Sequence, residues 1–278
     1  MKAEGKTDSD HGKFEYFIQK PSSFYSPSLK NVKSLGLASL NVSGVLFKEE
    51  SNESSYTSGN VRYTSITSTT WQFPELDDAF WETLLEKLYS SIQEKFSTNY
   101  AISFIDVDKI TSHPEYANFW EPNEANTDIK IEKNYKNTKR MQAASIREVF
   151  SSASTTFSRD LPEYKLMRDN DVDGLLMVTL DLRVSDANKK KIVLDPVLSF
   201  KVLSGAVSYG LAPIGVIMEG TVSGRGIPFK MKEFNSLDAL VRIAQIDNLL
   251  YGMTKSIADI QVLEEEEKYF ETWQLFNE

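Results

Sequence analysis

The spacing of apolar residues in the first part of the chain predicts a strand, a helix and a second strand. Segment 33–47 is rich in Leu and Val, and apolar residues there partly alternate with small ones, which is typical of a strand. Acidic residues after Pro74 suit the positive end of a helix, and apolar residues then recur every three or four positions through 80–96. The short apolar run 100–107 predicts the next strand.

The second half of the chain predicts one more helix, three strands and a long final helix. Segment 141–157 places its apolar residues on one side, which favours a helix. Turn residues separate the three strand segments, 172–184, 191–203 and 214–223, and a capping Ser236 then begins a helix through Ile260. The order β-α-β-α-β-β-β-α indicates an α+β fold with a mixed, largely antiparallel sheet and helices packed on it.

Two segments do not show a clear period. Residues 48–70 are dominated by Ser, Thr, Asn and Glu, and form either a surface loop or a polar hairpin, because 61–69 alternates β-branched and small residues without Pro. Residues 1–13 contain no packable apolar face. We therefore predict a flexible leader over 1–30 and a single α+β domain over 31–278, since no break in composition divides the rest.

Charge narrows the classes of partner. Lys and Arg number 31 against 40 Asp and Glu, so the net charge of −9 argues against nucleic acid, whose phosphates need clustered cations. The single basic run, 189–191, lies between two apolar segments and is predicted to be a solvated turn. No apolar run approaches the roughly 20 residues of a membrane-spanning helix.

The compartment has two interpretations. Residues 1–13 lack the apolar core of a signal peptide. The chain is therefore either cytoplasmic or a mature chain whose export signal was replaced by an initiator Met. The absence of Cys excludes disulfides and thiolate sites, and it also fits a lipoprotein whose lipid-bearing Cys has been removed.

Aspartates supply two weak candidates for a metal site. Asp169, Asp171 and Asp173 stand in the run DNDVDG, which matches the first half of a calcium loop. The twelfth position of such a loop needs a carboxylate and is here an apolar strand residue, so a polar turn is favoured. Asp106 and Asp108 follow an apolar strand, and carboxylates two apart point the same way, as in some magnesium-dependent phosphatases.

Other catalytic patterns are not found. The chain has only two His, which is too few for a three-His zinc site, and no G-x-S-x-G elbow presents a serine. The glycines of 220–226 follow a strand without the G-K-[ST] ending of a phosphate loop. We predict no cofactor and no enzymatic activity.

Aromatic residues give the one candidate binding patch. They cluster in a segment with two prolines and no clear period, where exposure would make a recognition surface and burial would cover the edge of the sheet. The candidate binding residues are Tyr116, Phe119, Trp120 and Tyr135.

The order of these segments resembles that of bacterial envelope lipoproteins related to the curli-secretion lipoprotein and the penicillin-binding-protein activator lipoprotein. The matching segments are the strand 32–38 (VKSLGLA), the helix 80–96, the strand 104–108 (FIDVD) and the strand 172–178 (VDGLLMV). The resemblance spans about residues 32–260, with departures at 48–70 and 109–137. It implies a non-enzymatic, membrane-tethered periplasmic domain that binds another protein.

Three functional hypotheses follow. The first is a bacterial cell-envelope protein, periplasmic or tethered to the outer membrane, that binds another envelope protein or an envelope polymer. It would contact the membrane only through a lipid anchor. The second is a metal-dependent hydrolase using Asp106 and Asp108, and the third is a structural protein that self-associates through a sheet edge.

Overall fold

The computed structural model describes ten stretches of the chain. They are residues 2–9, 12–20, 28–45, 47–72, 76–119, 131–141, 162–187, 192–204, 215–230 and 236–266.

Eleven strands lie within these stretches. They are β1 (Lys2–Ser9), β2 (Gly12–Gln19), β3 (Ser34–Val45), β4 (Phe47–Ser58), β5 (Val61–Gln72), β6 (Ser103–Phe104), β7 (Ile131–Asn134), β8 (Gly174–Ala187), β9 (Ile192–Ser204), β10 (Gly215–Gly224) and β11 (Ile227–Phe229). Nine of them form one sheet in the order β1-β2-β10-β9-β8-β3-β6, with β11 beside β9 and β7 beside β3. Among the described strands only the pairs β3–β6 and β3–β8 are parallel, so the sheet is mixed and largely antiparallel. The predicted α+β class is confirmed.

Five α-helices accompany the sheet in the described stretches. They are α1 (Asp78–Tyr100), α2 (Val107–Thr111), α3 (Pro162–Asp169), α4 (Leu237–Ile243) and α5 (Ile246–Glu265), with short 3₁₀ turns at Leu29–Asn31 and Pro114–Asn118. The predicted first helix corresponds to α1, which Asp77 caps by accepting a bond from the Phe80 N–H. The predicted helix 141–157 lies almost wholly outside the described residues.

The main core lies between one face of the sheet and the helices α1, α4 and α5. Apolar residues at every second strand position, such as Leu180 and Phe200, pack there against Trp81, Leu88 and Ile257. Each such buried side chain contributes about 1.5–3 kcal/mol through the hydrophobic effect. The apolar residues that alternate along the strands and those that repeat at the helical spacing in α1 thus pack in the same core.

A smaller core covers part of the opposite face. There α2, α3 and the 3₁₀ turn Pro114–Asn118 bring Ile110, Leu166 and Tyr116 onto Leu175 and Leu203. The rest of this face carries polar residues, so the two sides of the sheet differ in composition.

The flexible leader predicted for 1–30 is wrong. Residues 2–9 and 12–19 form an antiparallel pair, and β2 joins the main sheet beside β10. Phe14, Tyr16 and Ile18 alternate along β2 and are buried, which anchors the segment. The domain therefore begins before residue 31.

Two further predictions needed correction. The single helix predicted through Ile260 is divided into α4 and α5, because Gln245 adopts a left-handed φ of 53° and its side-chain amide bonds the Arg225 carbonyl at 2.6 Å. The strand predicted over 100–107 is reduced to Ser103–Phe104, since Asp106 caps α2 directly after it.

Candidate functional site: a projecting hairpin arm

A long hairpin continues from the end of β3 and is not part of the main sheet. Strands β4 and β5 pair antiparallel over twelve residues each without a register shift, from Phe47 opposite Gln72 to Ser58 opposite Val61. We call residues 47–72 the arm. At about 3.4 Å per residue the arm is about 40 Å long.

The sequence of the arm determines its turn. Gly59 and Asn60 form a two-residue connection, and Gly59 has a φ of 63° whereas Asn60 has no positive φ. A positive φ at the first central residue alone is the pattern of a type II′ turn, which suits the twist of a hairpin and favours Gly there. The Gly-Asn pair between alternating segments was the signal that separates hairpin from loop.

The base of the arm is tightly constrained. Gly44, three residues before the arm begins, has a φ of 156°, and a Cβ added there would lie 1.8 Å from the carbonyl oxygen of Leu182 on β8. The close approach of β3 to β8 at this point therefore requires Gly.

The arm exposes several large apolar side chains. Every residue of 51–68 is exposed. Four of the six large hydrophobic residues exposed in the described stretches belong to the arm: Tyr56, Val61, Tyr63 and Ile66. The Tyr56 and Tyr63 rings face each other across the strands and stack, with centroids 5.0 Å apart and planes at 14°. Exposed aromatic and aliphatic groups on an extended element are typical of a contact surface.

The two strands of the arm differ in charge. β4 carries Lys48 and the three acids Glu49, Glu50 and Glu53, whereas Arg62 is the sole charged residue of β5. No third strand pairs with the arm in the described part of the chain, so the outer edge of each strand keeps unpaired backbone groups.

Three of the four predicted binding aromatics lie in the interior. Tyr116, Phe119 and Tyr135 are 3–5% exposed. The Tyr116 hydroxyl donates to the Ala38 carbonyl at 2.6 Å, and burial raises its pKa to about 12. Burial, and then the bond to Glu86, raises the pKa of Tyr135. These three form no exposed patch, and Trp120 lies outside the described residues.

The first aspartate pair stands at the start of a helix. The Asp106 carboxylate accepts from the Asp108 N–H at 3.1 Å and caps α2. Both residues are exposed. The Asp106 carboxylate has a structural role, and no group of three or more acidic or His side chains suited to a metal occurs in the described residues.

The second set of aspartates forms the polar turn between α3 and β8. The Asp173 carboxylate accepts from the N–H groups of Lys33 and Ser34, at 2.7 and 2.9 Å, and so fixes the start of β3. Asp171 has a left-handed φ of 52°, and Asp169 pairs with Arg168 and lies 3.4 Å from His113. The bond from Arg168 lowers the pKa of Asp169. The three carboxylates thus act separately.

The polar face of the sheet contains a buried row. Lys201, which is 2% exposed, pairs with Glu219 at 2.9 Å. Asn41 and its cross-strand neighbour Asn134 each have a buried side-chain oxygen without a hydrogen-bond partner in the described stretches. Such oxygens are sites for bound water.

An open depression of about 510 Å³ lies at the outer end of this face. Phe17, Thr221 and Ser223 line it together with the carboxylates of Glu4 and Glu15. The carboxylates and hydroxyls favour a cationic or hydroxyl-bearing group over an anion.

Three comparisons with known proteins found no match. No family model matches it, no curated protein matches it, and no solved structure matches its fold. None of the helices in the described residues is long and apolar enough to span a membrane.

Proposed function

We propose that this chain is a non-enzymatic protein of the bacterial cell envelope, and that it acts by binding another polypeptide through the arm. The observation that carries the proposal is the full exposure of 51–68 together with the apolar side chains on that segment. A two-stranded hairpin that buries no face gains little stability by itself. Contact with a partner supplies the missing burial.

The envelope location is supported by the order of elements on which the resemblance rests. Apart from the two strands of the arm, β3, α1 and β6 follow one another, and β8, β9 and β10 form the later antiparallel series. The departure at 48–70 coincides with the arm. We call the described residues outside 47–72 the body. In this proposal the body is the domain shared with such lipoproteins, and the arm is the element that distinguishes this chain.

In-cell cross-linking tests the role of the arm. A photo-reactive phenylalanine analogue replaces Tyr56 in the arm, and a matched variant carries it in place of Glu82, which is exposed on α1. We expect a discrete cross-linked protein from the Tyr56 position and none from Glu82. Equal yields from both positions, or none from either, would contradict the proposal.

Detergent phase partitioning of the protein expressed from its full-length native gene tests the location. Recovery in the detergent phase, with the membrane fraction, is expected for a lipid-anchored envelope protein. Recovery only in the aqueous, cytoplasmic fraction would remove the envelope part of the proposal and leave the role of the arm to the cross-linking result.

A further inference from the structure

In the described stretches, the outer edge of β5 lacks the features that prevent strands from pairing between molecules. Natural edge strands are protected by Lys, Pro, bulges or covering elements. β5 is twelve residues long, contains no Pro and no bulge, and has its one charge, Arg62, next to the turn. Strand β4 is different, because its sequence contains three acidic residues, Glu49, Glu50 and Glu53.

Hydrogen-bond alternation identifies the backbone groups on the β5 edge. Ser58 and Val61 flank a two-residue turn and therefore form a hydrogen-bonded pair. Pairs alternate from there, so the N–H and C=O of Thr64 and Ile66 point away from β4. These groups are a template for one further antiparallel strand.

The same edge is self-complementary about Ile66. When a second β5 runs antiparallel with Ile66 opposite Ile66, Thr64 faces Ser68 and Arg62 faces Thr70. No like charges oppose each other, and all facing residues have outward backbone groups. Pairing two β4 edges brings acidic strands together instead, which like-charge repulsion disfavours.

From this pattern we infer that the arm binds a second copy of the chain, with the two β5 edges joined antiparallel around a two-fold axis at Ile66. The product is a four-stranded sheet in the order β4-β5-β5-β4. This inference rests on the proposed function of the arm as the contact element and names its partner. The pairing adds strands to a two-stranded hairpin, which is only marginally stable by itself.

The length of the arm makes this association compatible with the charge of the body. Each chain carries a net charge of −9. Gln72 lies six residues from Ile66, so the two bases of the paired arms stand about 40 Å apart at about 3.4 Å per residue. Repulsion between the bodies is then screened, because the Debye length is about 8–10 Å in physiological salt.

Two matched proline variants of the full chain test the edge. Thr64 and Ser55 face each other across the arm, both are exposed, and both have an outward N–H, on β5 and β4 respectively. Sedimentation equilibrium should give twice the 31.5 kDa mass for the parent chain and for Ser55→Pro, and the single mass for Thr64→Pro. Circular dichroism and the thermal transition of the body should be the same in all three.

Disulfide trapping provides a second measurement. The chain has no Cys, so Ile66→Cys introduces one thiol, and the facing Cα atoms of a hydrogen-bonded pair are about 5.5 Å apart, within disulfide range. We expect Ile66→Cys to form a covalent dimer on mild oxidation. Glu53→Cys, directly opposite Ile66 on β4, should form no disulfide-linked dimer.

Specific results would overturn the inference. They are a monomeric parent chain, loss of the dimer in Ser55→Pro instead of Thr64→Pro, or equal trapping of both Cys variants. A monomer whose Tyr56 position still cross-links a different protein in cells would refute self-pairing and keep the arm as a binding element. No arm-dependent cross-link in cells would refute the proposed function itself.

Discussion

Two hairpins of similar length have opposite surroundings in this molecule. β8 and β9 pair antiparallel at the centre of the sheet, and every second residue of β9 from Ile192 to Phe200 is buried. β4 and β5 pair just as regularly, yet 51–68 is exposed throughout. Strand pairing therefore sets the register in both hairpins. Only the β8–β9 hairpin is part of the core, because a layer of helices covers it.

The largest expected difference between body and arm comes from the same substitution in each. Ile257→Ala, fully buried in α5, should lower the free energy of unfolding by about 2–5 kcal/mol, because it leaves a cavity. Ile66→Ala, 68% exposed in the arm, should change it by no more than about 0.5 kcal/mol. Urea denaturation below the association concentration measures both, and similar losses would show that the arm is packed in solution.

Alkaline pH should destabilise the body. Burial raises the pKa of Tyr116 and Tyr89 to about 12, and it raises the pKa of Tyr16, Tyr100 and Tyr135 as well. Unfolded tyrosines ionise near pH 10. The stability that these five tyrosines contribute is therefore complete below pH 10 and is lost as the pH rises towards 12.

The pKa shift of Lys20 changes the free energy of unfolding in the opposite direction, and over a lower pH range. Burial lowers its pKa from 10.5 to about 8, so the folded state gains stability between those values and nothing above 10.5. Urea denaturation at successive pH values should therefore show a monotonic loss above pH 10.5. An unchanged free energy of unfolding there would mean that these tyrosines ionise freely in the folded state.

A smaller loss of stability is expected when the contact of Asp173 with the start of β3, the strand that leads into the arm, is removed. Asp173→Ala removes the acceptor for two backbone N–H groups at the start of β3, and should cost about 1–2 kcal/mol. Asp108→Ala, at another exposed aspartate, should cost about 0.5 kcal/mol or less. Thermal denaturation compares the two. A larger loss for Asp108→Ala, or a melting temperature that Mg²⁺ raises only when Asp108 is present, would revive the metal-dependent hydrolase.

The smallest effect is expected inside the arm. Tyr56→Ala removes the stacked pair with Tyr63 and should weaken the arm by about 0.2–1 kcal/mol, a typical value for cross-strand pairs, without moving the thermal transition of the body. Ser54→Ala, in the same strand, is the control. Amide exchange of residues 51–68 should increase only for Tyr56→Ala, and a matching increase in β8 would show that arm and body unfold together.

The parts of the fold that the sequence predicted well have strong periods. α1 and the strands β8, β9 and β10 were found because their apolar residues repeat at the helical or strand spacing over many positions. β1 and β2 were missed because β1 is polar along its length, and its pairing with β2 is a contact between segments that no local pattern records. The break at Gln245 was missed because it depends on a bond to Arg225, twenty residues earlier.

The candidate site shows the same division. The sequence offered both a hairpin and a loop for 48–70, and the Gly-Asn turn decides between them locally. The sequence left open whether the aromatic residues form an exposed patch or cover the sheet edge, because an irregular segment gives no period from which burial can be read. In the structure Tyr116 and Tyr135 pack inward against other elements. The Asp106 and Asp173 carboxylates are likewise engaged by backbone N–H groups that lie beyond any sequence motif.

The sequence by itself determined the α+β class, the long helix and the antiparallel strands, because alternation and helical spacing are local consequences of side-chain direction. It also determined the acidic charge and the turn of the arm. Tertiary structure alone decided which strands are covered, because burial depends on which distant elements meet. For that reason the arm and the β8–β9 hairpin, built from the same kind of pairing, have different surroundings: the β8–β9 hairpin is part of the core, and residues 51–68 of the arm are exposed.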